Sequence, residues 1–262
     1  MKWHRVKAIV SRHAYVLRRS PPRWFDVLVW PLVDTILFGS LGVFVARQGG
    51  TGRAGVAYLL AGILLFHVIF QAQIAVAVGF LEESWSRNLL NLMTTPLTEL
   101  EYVAGVALFG LLKLVLGIGV MVLTAWVAFS FAITDIGWGL VPIFAILLVI
   151  GWVISLFVIG LVLRYGPGAD ILCWGILFVV MPLSGVFYPT EALPAVLRPL
   201  AKLLPTTHAF AAARTLLSHQ PMPWGQIAIA AVGTVAAAFA GLAFVLQMLR
   251  VFRHRGYVTR FS

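Results

Sequence analysis

The sequence has few charged residues and only one cysteine. Asp, Glu, Lys and Arg make up 11% of its 262 residues, whereas about 25% is usual in soluble domains. Hydrophobic residues make up 61%, and a chain of this composition cannot cover a water-facing surface. It is therefore predicted to be a polytopic membrane protein, which excludes a free cytosolic enzyme, a disordered adaptor and a nucleic-acid-binding module. The single Cys173 also excludes an intrachain disulfide framework.

Acidic residues are scarce relative to basic ones, which gives a net charge of +10. In a membrane protein an excess of Lys and Arg marks the cytoplasmic face. Seven basic residues and no acidic residue lie within residues 1–23. Thirteen basic residues lie on the side of the two termini and five on the other side. Both termini are therefore predicted to be cytoplasmic.

Six apolar stretches approach the ~20 residues that a membrane-spanning helix needs. They are Trp24–Val45, Val56–Phe80, Tyr102–Phe131, Trp138–Leu163, Ile171–Phe187 and Trp224–Val251. The predicted fold is a single all-α transmembrane domain, residues 1–262, with six spans. It divides into an interfacial helix (1–23), spans 1–5 (24–187), an extracellular re-entrant region (188–223), span 6 (224–251) and a tail (252–262). No cleavage site of a signal peptide is recognisable, so the first span is expected to stay in the mature protein.

The first 19 residues carry an amphipathic pattern. Their apolar stripe, spaced by three and four residues, is Trp3, Val6, Val10, Ala14 and Leu17. Arginines occupy the opposite arc, which predicts a helix in the headgroup plane with its apolar side in lipid. A simple topogenic cluster of charges is the alternative. Ser20-Pro21-Pro22 is predicted to end this helix.

The loop at residues 81–101 predicts a short amphipathic helix on the cytoplasmic side. Glu82 and Glu83 suit its first turn, where acids complement the helix dipole. An apolar side that includes Leu89 and Met93 recurs at helical spacing, and Pro96 follows. Such a helix could dock into a groove on another protein or rest on lipid, and the residues alone favour neither.

Seven of the 13 prolines lie between residues 182 and 223. They separate apolar pieces that are too short to span a bilayer. Non-helical backbone at membrane depth is tolerated only where protein buries it or where it lines a cavity. This proline-rich segment is therefore predicted to form re-entrant or interfacial half-helices that cap the extracellular end.

Polar side chains inside the spans are candidate functional residues, because each needs a partner or water. Asp26, near the end of the first span, is expected to reach headgroups or to pair with Arg23. Asp34 either faces a conduit or forms an ion pair with Lys113. Trp30 is more interior than the Trp residues at span ends, but packing explains it as well as substrate contact does. The residues selected for a possible substrate pathway are Trp30, Asp34, Phe38 and Gln71.

These features together resemble the ABC-2 type permease family, the membrane subunits of type V ABC exporters. The run Pro182-Leu-Ser-Gly185-Val-Phe-Tyr-Pro189, followed by Leu193-Pro194 and Leu204-Pro205, is similar to the family's extracellular signature. The resemblance implies an outer gate formed by Pro182, Gly185, Phe187, Tyr188, Pro189, Pro194 and Pro205. Glu82-Glu83 with the run Asn88–Leu97 is similar to the family's coupling helix. The residues it implies for contact with an ATPase are Glu82, Glu83, Arg87, Leu89, Leu90 and Met93.

The resemblance further implies a homodimeric permease with two copies of a separate ABC ATPase, in the bacterial cytoplasmic (inner) membrane. No G-x-x-x-x-G-K-[ST] motif occurs in the chain, so ATP and Mg²⁺ are expected on the partner, and no cofactor or metal in this chain. The implied activity is export of an amphiphilic or lipid-linked substrate: a drug, a lipid or a glycan. Membrane lipids are further partners, and nucleic acid is not.

Two other functions are weighed against a permease. An integral-membrane transferase acting on a lipid-linked substrate would need converging catalytic groups, and the outer loops carry only Asp135, Glu191, His208 and His219, without a motif. A channel or ion-coupled transporter would be expected to show internal repeats, and none is recognisable.

Overall fold

The computed structural model describes residues 2–49, 52–85, 95–133 and 137–255, and every regular element in these ranges is a helix. The α-helices are α1 (Trp3–Arg19), α2 (Pro21–Trp24), α3 (Trp30–Gly49), α4 (Gly52–Trp85), α5 (Glu99–Phe129), α6 (Leu140–Tyr165), α7 (Leu172–Leu183), α8 (Arg198–Leu203), α9 (Pro205–Leu217) and α10 (Trp224–Arg255). A π-helical turn, Phe25–Val29, joins α2 to α3, and 3-10 turns cover Pro167–Ile171 and Thr190–Ala192.

Five helices of the described ranges are long and apolar enough to cross a membrane: Pro21–Gln48, Ala54–Glu83, Glu101–Phe129, Leu140–Tyr165 and Trp224–Val251. They coincide within a few residues with five of the six predicted spans. The remaining prediction, Ile171–Phe187, falls on a shorter apolar helix, Gly168–Leu183. Its C-terminal end coincides with Pro182, whose ring cannot continue a helix without loss of a hydrogen bond. A sixth span therefore stays a prediction.

Helix α4 is the centre of the bundle. Of its most apolar window, 94% is buried within the chain, and it packs against α3, α5 and α6. By contrast, only 28% of the window in the first candidate span and 22% of that in α10 is buried. Helices α4 and α5 run in opposite directions, since Gly79 meets Val106 and Gly117 meets His67. The bundle therefore has an α1 end, where α4 finishes and α5 begins, and an α9 end, where α8 and α9 lie.

Candidate functional sites at the two ends of the bundle

Helix α1 forms where the amphipathic pattern predicts it, but its apolar side faces protein. Val6, Ile9, His13 and Leu17 are buried, whereas Trp3, part of the predicted stripe, is 62% exposed. The prediction that this side lies in lipid is therefore wrong for Val6 and Leu17. The close approach depends on Gly105 of α5, because a Cβ there would lie 2.7 Å from Ile9 Cβ.

Three ion pairs hold α1 and α2 against the neighbouring ends of α4 and α5. They join Arg5 to Glu101 at 3.2 Å, Arg12 to Glu83 at 2.5 Å and Arg23 to Glu82 at 3.0 Å. We call this set the α1 clamp. Glu82 and Glu83, in α4, precede the segment 86–94, and Glu101, in α5, follows it. The clamp therefore ties α1 and α2 to both of these helices.

Besides its ion pair with Arg5, Glu101 also caps the N-terminus of α5. Its carboxylate accepts hydrogen bonds from the backbone N–H of Thr98 at 3.1 Å and of Lys2 at 2.6 Å. The Thr98 hydroxyl accepts in return from the Glu101 N–H at 3.3 Å, which completes a capping box. One side chain therefore fixes the start of α5 and the start of α1.

The predicted coupling residues are only partly described. Glu82 and Glu83 lie in the last turn of α4 (Gly52–Trp85) and not in the first turn of a separate helix, because no helix breaker follows Phe80. Arg23 and Arg12 pair with these two carboxylates. Arg87, Leu89, Leu90 and Met93 lie outside the described residues.

A glycine pair tests the docking of α1. We expect Gly105→Ala to displace α1, because the new methyl group would overlap the branched side chain of Ile9. Gly119→Ala in the same helix is the matched control, since no atom of the described residues lies within 4 Å of a Cβ there. The control should be neutral or stabilising by up to about 1 kcal/mol. Hydrogen exchange of the α1 amides should accelerate in Gly105→Ala only, and equal exchange in both variants would contradict the docking.

A fourth ion pair lies inside the bundle, near the clamp. Lys113 Nζ of α5 donates to Asp26 Oδ2 of the π-helical turn at 2.9 Å. Of the two alternatives for Asp34, the ion pair with Lys113 is therefore wrong, and among the described residues Asp26 pairs with Lys113 and not with Arg23. Side chains of a helix point toward its N-terminus, so the long Lys113 side chain reaches back toward the α1 end. There it meets Asp26, which lies only one turn into the first candidate span.

The π-helical turn has a local cause that the sequence analysis missed. Pro31 has no N–H to donate, and its ring would clash with the carbonyl four residues earlier in a regular helix. The chain widens into the turn Phe25–Val29 just before it. The Val27 carbonyl oxygen lies 3.4 Å from the position of a Cβ on Gly117. A proline in the first half of an apolar stretch was the available signal for this irregularity.

At the α9 end, the proline-rich segment is held by polar contacts to α9. Ser184 Oγ and Thr206 Oγ1 are 2.5 Å apart and both residues are buried. Arg214 donates to the Gly185 carbonyl at 2.6 Å. The segment also packs closely against α4. A Cβ on Gly62 of that helix would lie only 2.4 Å from the Val186 carbonyl oxygen. Residues 184–186 are thus packed between α4 and α9.

Two arginines satisfy carbonyl groups that lack a helical partner in this segment. Arg198 donates to the carbonyls of Leu193 at 2.9 Å and Glu191 at 2.7 Å, and Arg214 does the same for Gly185. Irregular backbone near a membrane needs such partners. In the sequence both arginines are only loop charges, and no pattern around them indicates these contacts.

The residues predicted for the outer gate all lie in this segment, in different roles. Pro182 falls near the end of α7, and Pro205 is the first residue of α9. Pro189 and Pro194 are exposed and flank the 3-10 turn Thr190–Ala192. Phe187 and Tyr188 are half-buried. Gly185 takes a left-handed conformation with φ of 66°.

The four predicted pathway residues do not converge in one place. Phe38 stacks on Phe187, with ring centroids 4.3 Å apart, and so joins α3 to the proline-rich segment. Gln71 is fully buried in α4, whereas Trp30 is 48% exposed on the outside of α3. Asp34 is half-buried one turn from Phe38. Among the described residues, Phe38 thus joins the predicted pathway to a predicted gate residue, Phe187.

Gly185 provides a second glycine prediction. We expect Gly185→Ala to cost about 1–2 kcal/mol for the left-handed backbone alone, and its Cβ would lie 2.9 Å from the Tyr188 carbonyl oxygen. Gly175→Ala in α7 is the matched control, because a Cβ there meets no atom of the described residues within 4 Å. Thermal unfolding in detergent should separate the two variants, and a Tm for Gly185→Ala at or above that of the control would contradict the assignment.

Among the described residues, no group of three or more His, Cys, Asp and Glu could hold a metal ion. The chemistry at both ends is thus ion pairing, capping and close packing. No curated protein matches the chain. The family model described as ABC-2 type transporter matches residues 4–217. This match runs from α1 through the clamp and the proline-rich segment to the end of α9, so the chain belongs to the ABC-2 type transporter family.

Proposed function

We propose that the chain is the permease subunit of an ATP-driven exporter, powered by a separate ABC ATPase. Its cargo is an amphiphilic or lipid-linked molecule that leaves across the bacterial cytoplasmic membrane. The family supports a membrane subunit of a transporter, and the absence of a G-x-x-x-x-G-K-[ST] motif from the sequence supports a separate source of ATP hydrolysis.

The α1 clamp is the observation that carries the proposal. Glu82 and Glu83 precede the segment 86–94 and Glu101 follows it, and all three bind arginines of α1 or α2. An ATPase that pushes on this segment would therefore move α1, α4 and α5 as one body. Tyr102 of α5 reinforces the body by donating to the Gly79 carbonyl of α4 at 3.0 Å.

Motion of this body would reach the opposite end through α4. The helix is continuous from Gly52 to Trp85, and Gly62 near its start touches the backbone of the proline-rich segment. In the proposal this segment is the outer gate, and a shift of α4 repositions it. Rigid helices that transmit a push between two ends are a common device in transporters and switches.

The proposed assembly is a homodimer of permeases with one ATPase under each and both termini cytoplasmic. The outer surfaces of α3, α5 and α10 expose large apolar side chains, among them Phe44, Trp126 and Phe239. Lipid or a second copy must cover these surfaces. The proposed homodimer would cover part of them, and lipid the rest.

Purification from the native membrane tests the proposal. A tagged chain, solubilised in a mild detergent, should retain an ABC ATPase in equimolar amount and hydrolyse ATP. Deletion of residues 86–94 should release the ATPase, while Glu191→Gln, on the surface of the α9 end, should retain it. The absence of any ATPase from gently purified material would overturn the proposal.

A further inference from the structure

A cavity of about 310 Å³ lies beneath α1, at the level of the clamp. Its wall is formed by α1, the α2 and π-helical turn region, α4 and α5, with Trp174 contributed by α7. Most lining side chains are apolar. Trp174 is itself 45% exposed, so the cavity borders the outer surface of the bundle.

The charged side chains of the cavity wall balance one another. Arg23 pairs with Glu82 and Lys113 pairs with Asp26, and all four line the cavity. Burial, with a smaller contribution from the adjacent Arg12, lowers the pKa of the fifth titratable group, His13. His13 is therefore neutral at neutral pH, and the wall carries two positive and two negative charges.

His13 supplies an independent sign that the cavity binds a polar ligand. Only 6% of it is exposed, and it stacks on Phe109 with centroids 5.4 Å apart. Among the described residues its Nε2 has no hydrogen-bond partner. A buried polar atom without a partner costs about 1–3 kcal/mol, and a ligand in the cavity it lines would remove that cost.

The same face of α4 carries further polar groups toward the bundle centre. Ala75, Val78 and Glu82 line the cavity, and Gln71 and His67 continue this row at helical spacing. Both are at least nine-tenths buried, and within the described ranges their side-chain amide atoms and imidazole Nε2 lack partners. The polar character of the site thus extends beyond the cavity.

We propose that this cavity binds the head group of a zwitterionic phospholipid-like amphiphile, one that carries a phosphate and an ammonium group. The phosphate would face Lys113, Arg23 and His13, and the ammonium would face Asp26 and Glu82. A head group of one sign would bring an uncompensated charge into a largely apolar site, which is costly. A zwitterion matches an electroneutral wall.

The setting favours a lipid over a soluble zwitterion. The cavity lies between helices of spanning length and beneath an amphipathic helix, and its apolar wall suits the glycerol and first methylenes of an acyl chain. Its use as the point where cargo is taken up rests on the proposed function. Lipid binding itself needs no ATPase. An experiment can therefore contradict the lipid site without contradicting the proposed function, and the reverse.

Native mass spectrometry of the full chain in maltoside micelles measures such binding. The probes are lysophosphatidylethanolamine, the anionic lysophosphatidylglycerol and the soluble glycerophosphoethanolamine. The variants are Glu82→Gln, Lys113→Met and His13→Phe, which preserves the stack on Phe109. Asp170→Asn is the matched control, because it removes a carboxylate that does not line the cavity.

We expect the wild type and the control to retain lysophosphatidylethanolamine in preference to the other two probes. Loss of one charge-assisted contact should weaken its binding about tenfold in Glu82→Gln and in Lys113→Met. Glu82→Gln should shift the preference toward lysophosphatidylglycerol, whereas Lys113→Met should not. His13→Phe should weaken binding while the Tm holds or rises.

Four results would overturn the proposal. One is equal or tighter binding of lysophosphatidylglycerol by the wild type, and another is the same binding in Glu82→Gln as in the control. Equally tight binding of glycerophosphoethanolamine would assign the cavity to a soluble zwitterion and exclude the lipid. Absence of binding by all probes also contradicts the site, and it leaves the co-purification of an ATPase unaffected.

Discussion

Asp26→Asn is expected to lower the free energy of unfolding by about 3 kcal/mol. The substitution leaves the ammonium of Lys113, whose side chain is 14% exposed, without its carboxylate. Lys113 lies about 18 Å along the third candidate span from Glu101, at 1.5 Å per residue. A charge at such depth needs a partner or water, and Asp26 is the partner that the structure provides.

The reverse deletion is expected to cost less. Lys113→Met leaves Asp26, whose side chain is 32% exposed and lies one turn from the start of its helix. It can therefore be hydrated, and we expect a loss of about 1 kcal/mol. The double variant Asp26→Asn with Lys113→Met leaves no unpaired charge, so it should recover most of the stability lost in Asp26→Asn.

Equilibrium unfolding by dodecyl sulfate in mixed micelles measures all four proteins of this double-mutant cycle. Asp34→Asn is a control, because it changes another carboxylate of the same helix that Lys113 does not contact. Additive effects in the cycle, or a larger loss in Asp34→Asn than in Asp26→Asn, would contradict the pairing of Lys113 with Asp26.

Charge reversal in the α1 clamp is expected to abolish transport and a charge swap to restore it. Arg12→Glu places a carboxylate beside Glu83, of which only 2% of the side chain is exposed, and like charges at this distance repel. We expect transport to fall at least about tenfold, a loss that corresponds to ~1.4 kcal/mol of coupling. Combining Arg12→Glu with Glu83→Arg re-forms the pair with opposite polarity.

The swap separates two roles for Glu83. If the carboxylate acts by holding α1, the double variant should recover at least half of the transport, since the ion pair is present again. If Glu83 instead binds the ATPase directly, the reversed charge should leave the double variant as inactive as Glu83→Arg alone. ATP-dependent efflux and the amount of co-purified ATPase, measured together, decide between these outcomes, and failure of the swap would contradict the clamp.

Hydropathy was sufficient to predict most of the fold. Five predicted spans match helices of spanning length, and Trp224–Val251 matches to the residue, because a bilayer imposes one length on every apolar helix. The helical pattern of residues 3–19 was equally plain. The proline signature predicted a segment of short helices, and residues 182–205 indeed break into α7, 3-10 and α8 pieces before α9.

Partnerships between distant segments could not be predicted from pattern alone. The apolar stripe shows that one side of α1 avoids water, but it does not distinguish lipid from protein. The contact with α5 depends on Gly105, whose lack of a side chain lets Ile9 approach. Likewise Lys113 had two acidic candidates in the first span, and the choice of Asp26 depends on side-chain direction and on the π-helical turn caused by Pro31. His13 gave no signal, because a histidine within a basic helix is unremarkable until its neighbours are known.

Reconstituted transport tests the central claim, that this chain converts an external push at its α1 end into passage of an amphiphile. Proteoliposomes would contain either the purified chain or its complex with the co-purified ATPase, and the measurement is movement of a fluorescent phospholipid analogue between leaflets. The account predicts ATP-dependent movement by the complex and none by the chain alone. Movement or chemical conversion of the probe by the chain alone, with or without ATP, would contradict it.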